Sequence, residues 1–215
     1  MLGSFSDGRA NRSDRDYNQM IQDAMIFQSG PDRNFMDPNW TASLGNDDQA
    51  FWAMSAMLAA ENDFPNPKPD DPQWLTLAQA VFNMQAAPLR QDKVCGGGLR
   101  WQIFPTNKGY DYKNSIANGC FFNLGARLAR YTGNGSYADW ADKTWDWMAG
   151  IGLIDGSFNV YDGVHTDQCS GLTIQRYSYT VAIMLQGSAF MYNFVSGAAD
   201  PVTLPCVSAY AGQIV

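Results

Sequence analysis

Three stretches of the chain carry an aromatic or aliphatic residue at every fourth position: Tyr17-Ile21-Met25, Trp74-Ala78-Phe82 and Tyr137-Ala141-Trp145. Rows at i, i+4 and i+8 form one face of an α-helix. In the third stretch Asp139, Asp142, Lys143 and Asp146 fill the other side, so all three read as outer helices with a solvated face. Between them run segments that begin with little or no charge, residues 48–60, 118–131 and 177–194, which read as buried inner helices. The outer rows start 57 and 63 residues apart. A period near 60 residues, with one inner and one outer helix in each, predicts an all-α array of helical hairpins or a closed α/α toroid. Strand patterns are sparse. The connectors Phe64-Pro65-Asn66-Pro67-Lys68-Pro69 and Cys95-Gly96-Gly97-Gly98 break helices, and no linker is long enough to divide the 215 residues into two domains.

Composition narrows the chemistry. The chain is 46% hydrophobic and long enough for a well-buried core. A net charge of −7 argues against nucleic acid and anionic membrane surfaces as partners, because both reward basic patches, and favours a neutral or cationic ligand. With one histidine, His165, and with Cys95, Cys120, Cys169 and Cys206 lacking C-x-x-C spacing, no metal centre or cofactor is expected. Cys120 sits in an apolar run as a buried free thiol would. The even cysteine count and the glycosylation sequons at Asn11, Asn39 and Asn134 tilt the chain toward the secretory route. Its first residues are not a signal peptide as written. Residues 177–199 are uncharged, but Gln186, Ser188, Asn193 and the tyrosines make a poor membrane span, so a buried helix is expected there.

The candidate chemistry lies in Gly45-Asn46-Asp47-Asp48-Gln49, an acid pair where loop becomes helix. Capping and the helix dipole explain one acid at a helix start. Two carboxyl groups about 5 Å apart at an effective dielectric of about 20 repel by roughly 3 kcal/mol, which separates their pKa values by about two units. One acid then stays ionised while its neighbour holds a proton. That division suits a glycosidase, which needs a carboxylate nucleophile and a carboxylic acid.

The acid pair, the loop Cys95-Gly96-Gly97-Gly98-Leu99-Arg100-Trp101-Gln102 and the string Tyr112-Lys113-Asn114-Ser115-Ile116-Ala117-Asn118-Gly119 together resemble glycoside hydrolase family 76. The likeness is to its fungal branch, the mannan endo-1,6-α-mannosidases, which include cell-wall proteins with a glycosylphosphatidylinositol anchor. Tyr131-Thr132-Gly133-Asn134 and Val160-Tyr161-Asp162-Gly163 extend it. The resemblance implies an (α/α)6 toroid with retaining hydrolysis or transglycosylation on α-1,6-mannose linkages, of wall mannan or of an anchor's mannose core. It further implies a secreted, wall-associated or membrane-anchored glycoprotein serving cell-wall biogenesis. By position Asp47 matches the nucleophile and Asp48 the acid/base. Gly97, Gly98, Trp101, Tyr112, Lys113, Asn114 and Asn118 match the substrate groove, and Asp162 matches an acid at its mouth. Core packing competes with sugar stacking for Trp101, and capping accounts for only one of the two asparagines.

The chain also departs from that family pattern. Residues 1–16 are a divergent polar stretch, 17–195 form a partial toroid and 196–215 a tail. At about 60 residues per hairpin the chain covers three to four of six repeats, and Thr180 stands where Asn is expected. A truncated member with doubtful activity is the expectation, with the inner helices around Phe51, Phe121 and Tyr179 left uncovered on one flank. The alternatives are a non-catalytic mannan-binding or wall-structural protein and, in a third class, an unrelated helical array that binds proteins.

Overall fold

The computed structural model describes residues 12–197, with side chains from Tyr17 onward. Six α-helices follow one another: α1 (Arg12–Ser29), α2 (Asn46–Glu61), α3 (Trp74–Ala86), α4 (Ser115–Thr132), α5 (Gly135–Gly150) and α6 (Ser178–Gly197). They alternate as the periodicity predicts, with α1, α3 and α5 outside and α2, α4 and α6 inside. Helix α1 begins at Arg12, within the stretch read as divergent, and α6 ends two residues past the expected tail boundary.

Helix α4 is the hub, packed against α2, α3, α5 and α6. Every residue from Ser115 to Ala129 is buried, which its small and apolar sequence permits. Gly187 of α6 lets the two inner helices touch: a side-chain carbon there would stand 2.6 Å from the Phe122 ring. The one charge buried in α4, Arg127, is satisfied by a forked pair to Glu61 at the end of α2, at 2.9 and 2.6 Å. The ends of α4 are set by its sequence. Asn114 caps the start by accepting from the Ala117 N–H, and Gly133 turns the chain out at φ +72°.

Two short strands, β1 (Tyr112–Asn114) and β2 (Gly163–His165), pair antiparallel with Tyr112 opposite His165. They stitch the loops at one end of the helix array. The Ser115 N–H at the start of α4 donates to the Asp162 carbonyl, and the Asn46 N–H at the start of α2 donates to the Trp101 carbonyl. Trp101 in turn donates from its backbone to Tyr112. The starts of the inner helices therefore converge, and three hairpins form an arc of an α/α toroid.

Phe51 and Tyr179 are exposed, as expected of an open flank. Phe121 is not: it is buried between Phe82 and Trp140, because α4 has neighbours all around. Helix α6 buries Met184, Gly187, Ser188, Met191 and Val195 but turns Val181, Leu185 and Tyr192 to solvent. No helix of the described residues is long and apolar enough to cross a membrane.

Candidate active site

Asp47 and Asp48 occupy the first turn of α2, and both carboxyl groups fold back over Gly45. A side-chain carbon on Gly45 would lie 2.3 Å from Asp47 Oδ1 and 3.2 Å from Asp48 Oδ2, so those two oxygens are at most 5.5 Å apart. Asp48 Oδ2 accepts from the Gly45 N–H at 2.9 Å, the half of a capping box that a glycine cap allows. Asp47 Oδ1 accepts from the Asp48 N–H at 3.0 Å, and its Oδ2 from the Trp101 indole N–H at 3.1 Å. The turn is anchored by Asn46, whose amide donates to the Arg100 carbonyl and accepts from Arg90, while Gln85 donates to its backbone carbonyl.

Trp101 is about one-third exposed and floors a cleft of about 630 Å³ lined by Lys108, Gly109, Asp111, Tyr112, His165 and Thr173. The sole histidine meets Asp111 at 3.2 Å in this cleft. Asp162 adjoins this cleft through Tyr112, whose hydroxyl donates to its Oδ2 at 2.7 Å. Burial and that hydrogen bond hold the Tyr112 proton well above the usual phenol range. Tyr179, at the start of α6, is pushed up by burial, and the charges of Asp162 and Asp47 add to the shift.

Five sequence-predicted groove residues lie elsewhere. Lys113 is fully buried beneath the glycine loop, where Nζ donates to Asp92 Oδ1 (2.7 Å) and to the carbonyls of Val94 (2.8 Å), Gly97 (2.6 Å) and Gly98 (2.9 Å). Its ammonium folds the loop and cannot reach a sugar. Asn118 is fully buried and accepts from the Leu99 N–H while donating to the Leu99 carbonyl, clamping the same loop. Asn114 is the cap of α4, so both asparagines are structural. Gly98 is buried under the Trp147 ring, while Gly97 is half-buried beside that ring. Of the predicted residues Trp101 and Tyr112 line the cleft, Asp47 and Asp162 are hydrogen-bonded to those two side chains, and Asp48 lies next to Asp47 in the first turn of α2.

Other contributors were missed. Burial alone would raise the Asp92 carboxyl, but hydrogen bonds and charges from Lys113 and Arg100 outweigh it and hold the group below its usual range. Arg100 also donates to the Tyr110 carbonyl. A disulfide joins Cys95 of the glycine loop to Cys169 beyond β2, and Cys120 is a buried free thiol. Cys206 and Asn11 lie outside the described residues. Asn39 and Asn134 are exposed. Among the described residues no cluster of His, Cys, Asp and Glu is arranged to hold a metal.

Burial and the neighbouring Asp48 charge raise the Asp47 carboxyl from 3.8 to about 6, against hydrogen bonds that lower it. A carboxyl with a raised pKa holds its proton more tightly in the fold. Its contribution is complete below the unfolded value and is lost as pH rises through 6. A two-unit shift corresponds to about 3 kcal/mol, discounted here because Asp47 is partly exposed. Asp47→Asn is therefore expected to stabilise the fold by about 1–2 kcal/mol near pH 7.5 and by nothing near pH 4. Asp48→Asn should cost about 0.5–1 kcal/mol through the weakened cap. Urea unfolding at both pH values checks this, and equal effects of Asp47→Asn at the two would refute it.

Residues 1–200 match the model of glycosyl hydrolase family 76. Over 181 residues the chain is 52% identical to the mannan endo-1,6-alpha-mannosidase DCW1 of Saccharomyces cerevisiae, which covers 83% of this chain and 40% of that protein. The crystal structure of Dfg5 from Chaetomium thermophilum in complex with glucosamine superposes with a TM-score of 0.88 at 51% identity, over 99% of this chain and 52% of that one. The mannosidase Bt3792 from Bacteroides thetaiotaomicron shares the fold, with a TM-score of 0.61 at 23% identity over 79% of this chain and 43% of its own. The chain thus spans about two-fifths of the length of the curated relative and half of the fungal structure.

Proposed function

The chain belongs to glycosyl hydrolase family 76, and from that premise we propose that it carries the catalytic carboxyl pair of a mannan endo-1,6-α-mannosidase. The observation that supports this best is the spacing over Gly45. Two carboxyl oxygens no more than 5.5 Å apart fall short of the roughly 6.5–9.5 Å that leaves room for water in an inverting pair, which favours the closer, retaining arrangement. Asp47, held at both oxygens, attacks the anomeric carbon. Asp48, exposed and with Oδ1 free to turn, gives its proton to the departing glycosidic oxygen. The resulting mannosyl ester is then broken by water or a sugar hydroxyl, which returns a proton to Asp48.

The names of the fungal relatives support α-1,6-mannan as the substrate class. The cleft beside the pair combines aromatic surface at Trp101 and Tyr112 with acids at Asp111 and Asp162, which suits neutral or cationic sugars. An anchor's mannose core is the other glycan we propose. A secretory, wall-associated setting is supported by the disulfide and by the exposed Asn39 and Asn134.

Proton NMR of α-1,6-mannan digestion tests the reading. The first product should keep the α configuration before mutarotation. A β product would overturn the retaining assignment, and mannan binding without turnover would favour the non-catalytic reading.

A further inference from the structure

We propose that Trp101 is a positioning residue for Asp47, fixing the orientation of its carboxyl group through the indole N–H. The proposal rests on the glycosidase reading only for its kinetic consequence.

The Trp101 backbone cannot move without moving α2. Its N–H donates to the Tyr112 carbonyl at 2.7 Å and its carbonyl accepts from the Asn46 N–H at 2.8 Å. On either side of it, the Arg100 carbonyl accepts from the Asn46 amide and Gln102 bridges to Gly45. The ring is fixed as firmly. It rests on Gly109, whose φ of +96° suits only glycine, and a side-chain carbon there would lie 2.4 Å from ring atom Cε3. An indole has one polar hydrogen and no acceptor, so a ring seated this way has a single polar contact to make. It makes that contact with Asp47 Oδ2 at 3.1 Å.

The carboxyl group is then held at both oxygens, since Oδ1 accepts from the Asp48 N–H. Among the described residues Trp101 is the one side chain that donates to Asp47. The ionisable groups close to Asp47 are Asp48 on its own helix, Cys120 from α4 and Tyr179 from α6, with Asp162 beyond Tyr179. None of them is cationic. The backbone N–H groups of Asp48 and Asp47 favour the ionised form most, and the indole adds to them as the one side chain that does so while it sets the angle of attack.

Seven tryptophans give seven indole N–H resonances in a nitrogen-15 spectrum of the full chain, and Trp101→Phe identifies one of them by its loss. That resonance should titrate with a midpoint near 6 and lose this step in Asp47→Asn. A flat resonance between about pH 4 and 8, or an unchanged step in Asp47→Asn, overturns the proposal. On α-1,6-mannan, Trp101→Phe keeps an aromatic ring over Gly109. It should lower kcat about 10- to 100-fold, leave KM within about twofold and move the acid limb of the pH profile upward. A loss of stability with an unmoved acid limb would reduce Trp101 to packing and overturn the proposal. A wild-type protein that turns over no mannan would sink the glycosidase reading, and the indole titration, which needs no substrate, would still decide this one.

Discussion

Asp47→Asn is expected to abolish measurable turnover of α-1,6-mannan, and Asp48→Asn to lower it by about 10²–10⁴-fold, the range of a lost general acid/base. The two should part on an aryl mannoside whose leaving group departs without a proton. Asp48→Asn should form the mannosyl ester on that substrate at close to the wild-type rate, because acid assistance is not needed there. Asp47→Asn should form none, because an amide cannot make the ester. Burst kinetics of aryl release reads the difference. The comparison also settles a tension in the site. Sequence resemblance makes Asp47 the nucleophile, yet Asp47 is the carboxyl that burial and its neighbour raise to about 6. If the spared variant proves to be Asp47→Asn, the roles are exchanged. If neither is spared, the pair is not a glycosidase pair.

Lys113→Met is expected to destabilise the fold by about 3–5 kcal/mol, the cost of breaking a buried charged pair from one side. The methionine fills the space but withdraws the ammonium from Asp92 and from the carbonyls of Val94, Gly97 and Gly98. Buried acceptors left without donors lose their full solvation. Lys113→Arg should not rescue it, since four acceptors converging on one point fit a compact ammonium better than a planar fork. Urea unfolding measures both variants. A loss under about 1 kcal/mol in Lys113→Met would mean that the loop holds its shape by other means.

Much of the helical frame was legible in the sequence because it is encoded locally. Trp74, Ala78 and Phe82 lie on one face of α3 and are buried, and Ala141 and Trp145 do the same for α5. The acid pair was legible for the same reason, since a cap and its neighbour belong to one turn. Lys113, Asn114 and Asn118 were misplaced because their partners are remote or inward. Lys113 and Asn118 meet a loop 15 to 21 residues upstream, and nothing in a lysine's neighbours tells whether its ammonium faces water or four carbonyl and carboxylate oxygens. The pairing of β1 with β2 and of Cys95 with Cys169 arises only when the hairpins assemble. The extra half turn at the start of α2 escaped notice because Asn46 and Asp47 can equally end a loop.

The disulfide between Cys95 and Cys169 encloses α4 and α5 within a covalent loop of sequence separation 74, and it skips the next cysteine in line. As the chain leaves the ribosome at about 5–20 residues per second, Cys95 waits about 4–15 seconds for its partner. During that interval the only other thiol yet made after it, among these positions, is Cys120, and a bond to it would trap the glycine loop away from Lys113. Cys120 is fully enclosed in α4 once that helix docks. With α4 packed as in the fold, Cys120 is out of reach of Cys95, so burial of that helix protects the pairing that locks the site loop.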